Sequence, residues 1–139
     1  SYTLEDLFLI LNTHKNIKYF AVSNVNTPED LGIYIKVIPK EIIIVPKIES
    51  SVAVLNIKNI VDVIPTTEKI IMLDHDDLFS NLIKKNENVE KFKDYITSLT
   101  EFCQKNNGVK FINHGPALIK SQNGDITRKY FKDGVEIDI

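Results

Sequence analysis

Two short apolar runs dominate the hydrophobic pattern of the chain. Residues 42–45 and 70–73 are rich in β-branched side chains and too short for helices, as is typical of strands buried on both faces of a parallel sheet. Between them, apolar positions in residues 51–64 recur at helical spacing. A strand, a helix and a second strand in this order predict a right-handed βαβ unit.

Similar segments flank this unit. A capping box from Thr3 to Asp6 begins a predicted helix over residues 3–11, and residues 17–22 predict a strand. Thr27 and Pro28 begin a helix that we expect to run to about Val37. A helical stripe over residues 89–103 and a strand at 109–112 complete the pattern. The alternation predicts an α/β fold with a parallel sheet, as a TIM-barrel-like fragment or half-barrel.

The C-terminal residues follow a different pattern. Asn123-Gly124 is a hairpin signal between two β-prone segments, and Lys132-Asp133-Gly134 predicts a second turn. We therefore expect a single α/β domain, with βα units in residues 1–116 and a β-hairpin-like tail in residues 117–139.

The composition of the chain argues against nucleic acid and membranes as binding partners and favours a small-molecule substrate. The 139 residues carry a net charge of −2 and a single arginine, Arg128, which argues against nucleic acid. The apolar runs are too short to span a membrane, and the single cysteine excludes an internal disulfide and favours a cytoplasmic protein. A half-barrel would leave two sheet edges open. We therefore expect these edges to be covered either by a second copy of the chain, in a homo-oligomer, or by the remainder of a longer chain. The absence of an initial methionine agrees with the second possibility.

Carboxylates follow both central strands. Glu49 follows the first apolar run and Asp77 the second. The carboxyl ends of neighbouring parallel strands meet at one edge of a sheet, where ligands bind. Mg²⁺ prefers carboxylate oxygens, so the pattern is consistent with a magnesium site formed by Glu49 and Asp77. The alternative is structural: Lys47 and Glu49 form a solvated ion pair, and residues 74–77 cap a helix.

The central stretch also resembles a known family. The run IIIVPKIESSVAVLNIKNIVDVI, followed by IIMLDHDDL, is similar to the phosphoenolpyruvate/pyruvate barrel superfamily, in particular citrate lyase β-subunit-like proteins and 2-oxo-acid aldolases. The resemblance implies that Glu49 and Asp77 hold Mg²⁺ and that Lys47 lies beside an enolate. It implies a carbon–carbon lyase or aldolase acting on a 2-oxo acid or acyl thioester.

Three further residues are candidates for the same site. His75, in the acidic segment after the second apolar run, is a candidate acid/base because imidazole titrates near neutral pH. Asn24 and His114 follow the predicted strands at 17–22 and 109–112, and we expect both to contact the substrate at the same rim.

Two other functions remain open at this point. The family's arginine near Val22 or Ser23 has no counterpart, which leaves a non-catalytic binding or interaction module as an alternative. Asp74-His75-Asp76 is an Asp-x-Asp pattern, as found in metal-dependent phosphotransferases and sugar transferases. We expect the chain to turn after Leu73, which would direct Asp77 into the rim of the sheet and Leu78 into the core.

Overall fold

The computed structural model describes residues 3–14, 16–106, 108–114, 117–120, 126–132 and 135–137. Side chains are described up to Ile112, except at positions 4, 8, 12, 15 and 107. The helices are α1 (Leu4–Thr13), α2 (Gly32–Val37, after a 3-10 turn at Pro28–Leu31), α3 (Ser51–Leu55), α4 (Ile57–Asp62), α5 (His75–Lys84) and α6 (Lys91–Lys105). The strands are β1 (Tyr19–Val22), β2 (Ile43–Ile48), β3 (Lys69–Asp74), β4 (Val109–His114), β5 (Ala117–Lys120), β6 (Ile126–Lys132) and β7 (Val135–Ile137).

The first four strands form one parallel sheet in the order β1-β2-β3-β4. This confirms the predicted α/β class with a parallel sheet, and a four-stranded sheet is consistent with a half-barrel. β5, β6 and β7 pair antiparallel in a separate sheet, while the turns predicted at residues 121–125 and 133–134 lie outside the described residues. Closure into a barrel stays a prediction.

Side chains alternate between the two faces of the parallel sheet along each strand, and the two faces differ in burial. One face joins the main core, where it meets buried side chains of the helices. Its strand residues are Val22, Ile44, Ile48, Ile71 and Leu73. The helical side chains packed in the same core include Leu31, Ile60, Leu78, Leu82, Ile96 and Leu99. This packing fixes how the strand ends and the helix that follows β3 are placed relative to each other.

The opposite face of the sheet is partly open. It borders a groove of about 490 Å³ whose lining is mainly apolar. Tyr19 and Ile112, on the two edge strands, line this groove and are 55% and 41% exposed. Lys47 and Asp74 belong to the same face by alternation and lie at its carboxyl edge. The expectation of a covering partner or further chain segment therefore stays a prediction.

The helix α5 was expected only in the structural alternative, in which residues 74–77 cap a helix, and the structure confirms that cap. The structure shows that the chain turns into a helix at His75, with Asp74 as its N-cap. Leu78 and Leu82, four residues apart, are both fully buried, whereas the residues around them are mostly polar. The turn after Leu73 and the burial of Leu78 agree with the sequence-based expectation.

The predicted helix over residues 51–64 is divided into α3 and α4 at Asn56. The Asn56 amide donates a hydrogen bond to the Asn26 carbonyl at 3.0 Å, and its backbone leaves helical geometry at φ −97°, ψ 10°. Asparagine side chains compete with helical backbone hydrogen bonds in this way. The break therefore accompanies a contact between α3 and the loop after β1.

Replacing Leu78 with alanine should destabilise the protein by about 2–5 kcal/mol, since the side chain is fully buried under α5. Urea unfolding followed by circular dichroism measures the change. Leu55→Ala is the matched control, because Leu55 is 77% exposed on α3 and its truncation should change stability by less than about 0.5 kcal/mol. Equal losses in both variants would contradict the packing described here.

Candidate metal centre

Two neighbouring strands end at the same level of the sheet. Ile48 of β2 is paired with Leu73 of β3, so Glu49 and Asp74 follow at equivalent positions. Both residues are buried, with Glu49 9% exposed. Carboxylates held at adjacent carboxyl ends of parallel strands are therefore close together, as the sequence predicted for Glu49.

Asp74 also fixes the third carboxylate. Its Oδ1 accepts a hydrogen bond from the backbone N–H of Asp77 at 3.0 Å, which caps the first turn of α5. This cap turns the chain sharply at the strand end and brings Asp77 back toward Glu49. One carboxylate oxygen from each of Glu49, Asp74 and Asp77 lies within 4.8 Å of the others.

Lys47 lies between two of these carboxylates. Its Nζ is 3.4 Å from Glu49 Oε1 and 3.5 Å from Asp74 Oδ2. Burial lowers the pKa of Lys47, but the charges of Glu49 and Asp74 raise it by more, and the net pKa is raised. The two carboxylates therefore favour the charged form of Lys47.

The loop after β1 holds Glu49 from the other side. The backbone N–H of Asn24 donates to Glu49 Oε2 at 2.7 Å. Asn24 has a left-handed backbone with φ 59°, a conformation that asparagine adopts more readily than most residues. Asn26 secures the same loop, because its side-chain oxygen accepts from the Ser50 hydroxyl and its N–H donates to Asp30 at 2.8 Å. Glu49 is thus held in place by two neighbouring segments.

The three carboxylates outnumber the available cation. Lys47 pairs with Glu49 and Asp74, whereas no lysine or arginine nitrogen of the described side chains lies within 4.0 Å of Asp77. Desolvation raises the pKa of Asp77, and its neighbours Glu49 and Asp74 raise it further. The metal-free cluster therefore has an excess negative charge concentrated at Asp77.

A polar cleft of about 230 Å³ opens beside the cluster. Its lining residues are Asn24, Glu49, Asp77, Ser80, Asn81 and Lys84. Four of these come from α5, and Glu49 and Asp77 belong to both the cluster and the cleft lining.

The structure brings most of the predicted site residues together. Lys47, Glu49 and Asp77 form the cluster, and Asn24 contacts Glu49 and lines the cleft. His114 is the last residue of β4, in register with Asp74, but its side chain lies outside the described residues.

The acidic segment that contains His75 is the first turn of a helix. His75 is the first residue of α5 and only 1% exposed. Its ring packs edge-on against Phe92 of α6, with 6.3 Å between the ring centroids. The described lining of the cleft does not include His75, and its acid/base role stays a prediction.

The sequence did not assign Asp74 to the favoured site, nor Ser80, Asn81 and Lys84 to any site. The spacing Asp-x-x-Asp at residues 74–77, an N-cap with its N3 partner, is the signal that could have linked Asp74 to Asp77. Ser80, Asn81 and Lys84 follow Asp77 at +3, +4 and +7, which is one face of a helix. This periodicity becomes visible only when α5 is recognised.

No protein-family model matches this chain, and a search of curated proteins finds no match. Within the described residues, no helix is both long and apolar enough to cross a lipid bilayer.

Replacing Asp77 with asparagine should stabilise the metal-free protein. Since the folded-state pKa of Asp77 lies above its ordinary value of 3.8, its protonated form favours folding at low pH, and this contribution is lost as pH rises. The gain from Asp77→Asn should therefore increase from pH 4 to pH 7, reaching on the order of 0.5 kcal/mol because solvent screens an exposed carboxylate. Urea unfolding in EDTA across this pH range measures it.

Asp94→Asn provides the matched control for this measurement. Asp94 is also an exposed acid in the first turn of a helix, but it lies on α6 outside the carboxylate cluster. Removing its charge should produce no gain in stability, since a negative charge near a helix N-terminus is favourable. A gain of equal size in both variants would contradict mutual repulsion as the cause.

Proposed function

We propose that this chain is a magnesium-dependent domain of the lyase or aldolase type, acting on a 2-oxo acid or acyl thioester through an enolate. The observation that carries the proposal is the cluster of Glu49, Asp74 and Asp77, in which Lys47 pairs with Glu49 and Asp74 but not with Asp77. The cluster lies at the carboxyl edge of a parallel sheet, where α/β proteins bind their ligands.

The donor set fits a hard divalent cation. Carboxylate oxygens are the protein ligands that Mg²⁺ prefers, and the ion commonly takes one or two of them and leaves positions for water and substrate. Three carboxylates and Lys47 sum to a charge of −2, which a divalent ion would neutralise. Glu49 and Asp77 are the proposed ligands, since both line the cleft.

Asp74 has a different part in this proposal. Its Oδ1 is engaged by the Asp77 N–H and its Oδ2 by Lys47. It therefore orients the helix that carries Asp77 and holds the lysine in place. Its contribution to metal affinity should be smaller than that of Glu49 or Asp77.

Lys47 supplies a fixed positive charge beside the proposed metal ligands. A bound Mg²⁺ would supply Lewis acidity, which polarises a carbonyl and stabilises enolate charge as a carbon–carbon bond breaks. The Lys47 ammonium lies 3.4 Å from Glu49 and 3.5 Å from Asp74, which places it to stabilise developing negative charge electrostatically. The resemblance of the stretch around Lys47, Glu49 and Asp77 to 2-oxo-acid aldolases supports this assignment of roles.

The geometry favours this proposal over the Asp-x-Asp alternative. A nucleophilic aspartate needs an accessible carboxylate, whereas Asp74 is buried and both of its oxygens are engaged. Asp76 is exposed on α5 and does not belong to the carboxylate cluster of the described residues. The pair that comes together is Asp74 with Asp77.

A non-catalytic metal-binding module is the second candidate. The specific observation in its favour is that Arg128 is the only arginine, so the arginine that such lyases place at the first strand end is missing. Metal binding alone does not separate this candidate from the first, whereas enolate formation does.

The first test is metal affinity. Calorimetric titration of Mn²⁺ should show binding at millimolar concentration or tighter, with Glu49→Gln and Asp77→Asn each at least about tenfold weaker, or about 1.4 kcal/mol. Asp74→Asn should weaken binding less, and Asp94→Asn should leave it unchanged. Absence of Mn²⁺ binding to the wild-type chain would contradict the proposal. A larger loss of affinity in Asp74→Asn than in Asp77→Asn would favour the phosphotransfer or sugar-transfer alternative.

The second test is enolate formation. Nuclear magnetic resonance follows the exchange of pyruvate methyl protons in D₂O, which should be faster with the Mg²⁺-loaded protein than with Mg²⁺ alone. Lys47→Met should slow this exchange at least about tenfold without weakening Mn²⁺ binding, since the change removes a positive charge that competes with the ion for Glu49. Metal binding without any accelerated exchange would establish the non-catalytic module instead.

A further inference from the structure

One face of α5 extends the candidate metal centre into the cleft. Asp77, Ser80, Asn81 and Lys84 all line the cleft, at spacings of three, four and seven residues. Lys84 lies seven residues beyond Asp77, which corresponds to a rise of about 10 Å along the helix. The cleft therefore runs from an acidic end at the cluster to a cationic end at Lys84.

Lys84 forms no ion pair within the described part of the protein. No carboxylate of the described side chains lies within 4.0 Å of its Nζ, whereas Lys47, Lys58 and Lys110 each have an acidic partner. Lys84 is exposed at the end of α5. It is the one basic residue in the described lining of the cleft.

Asn81, between the acidic and cationic ends of the cleft, has a polar side-chain atom without a hydrogen-bond partner among the described residues. Its side-chain Oδ1 is buried and, among the described residues, makes no hydrogen bond. Buried polar atoms in folded proteins almost always have a partner, which is protein, water or ligand. Ser80, one residue earlier, lines the same cleft with a hydroxyl that can donate or accept.

We infer that the cleft selects a small ligand with two anionic or chelating ends. One end would chelate the cation at Glu49 and Asp77, the distal anionic group would pair with Lys84, and Ser80 and Asn81 would hydrogen-bond the ligand between these points. This inference rests on the proposed metal centre. It makes Lys84 the residue that distinguishes dianionic from monoanionic ligands. A cleft of about 230 Å³ is below the usual range for larger ligands, which favours a compact dicarboxylate.

Two 2-oxo acids that differ in one carboxylate provide the probe. 2-Oxoglutarate and 2-oxopentanoate share the same five-carbon skeleton and the same chelating 2-oxo acid group, but only 2-oxoglutarate has a distal carboxylate. Each is titrated into the full chain saturated with Mn²⁺. We expect 2-oxoglutarate to bind at least about tenfold tighter than 2-oxopentanoate.

Lys84→Gln should reduce this preference to within about twofold and leave 2-oxopentanoate binding unchanged. Lys84→Arg should retain the preference, because the positive charge remains. The matched control is Lys85→Gln, which removes a neighbouring exposed lysine that is not part of the described cleft lining, and it should behave as wild type. Mn²⁺ affinity is measured for every variant and should stay within about twofold of wild type, which verifies that the site is folded.

The outcomes separate this inference from the proposed function. Equal affinity of the wild-type chain for both acids, or a preference that survives Lys84→Gln, would overturn the role of Lys84 while the metal centre stands. Failure of the wild-type chain to bind Mn²⁺ would overturn the metal centre, and the inference would fall with it.

Discussion

The position of Lys47 between Glu49 and Asp74 is the interaction on which the candidate site depends. Its ammonium group joins the ends of two neighbouring strands at a place where like charges would otherwise repel. Removing the charged side chains of Lys47, Glu49 and Asp74 from water costs free energy, and the ion pairs between them offset part of that cost. The single charge of Lys47 offsets one of the three carboxylates, which leaves a net charge of −2, and Asp77 is the carboxylate outside both ion pairs.

This imbalance distinguishes the cluster from an ordinary ion pair. A structural pair would have equal numbers of charges, whereas this cluster has two uncompensated negative charges beside an open polar cleft. Repulsion between unpaired charges costs stability. It is typical of functional sites, where a bound ligand relieves it. The helix cap by Asp74 and the hydrogen bond from Asn24 hold Asp77 and Glu49 in this arrangement.

The sheet and part of the site could be predicted because their signals are local. Runs of β-branched residues mark buried strands, and residues that follow such strands must meet at one edge, so Glu49 and Asp77 were found from the sequence alone. The cap of α5 was among the sequence-based alternatives, but the length of the helix was missed because its buried stripe is narrow, with Leu78 and Leu82 surrounded by polar residues. The lining of the cleft by Lys84 was missed for the same reason. The burial of His75 against Phe92 depends on the packing of two helices, which a single strand-end motif does not reveal.

The measurement that tests the central claim most directly is the location of a bound ion. A crystal of the protein grown with Mn²⁺ should show an anomalous-scattering peak with carboxylate oxygens of Glu49 and Asp77 at about 2.0–2.3 Å, with Lys47 still beside Asp74. Absence of the peak at saturating Mn²⁺, or a peak held by Asp74 and Asp76 instead, would contradict the account.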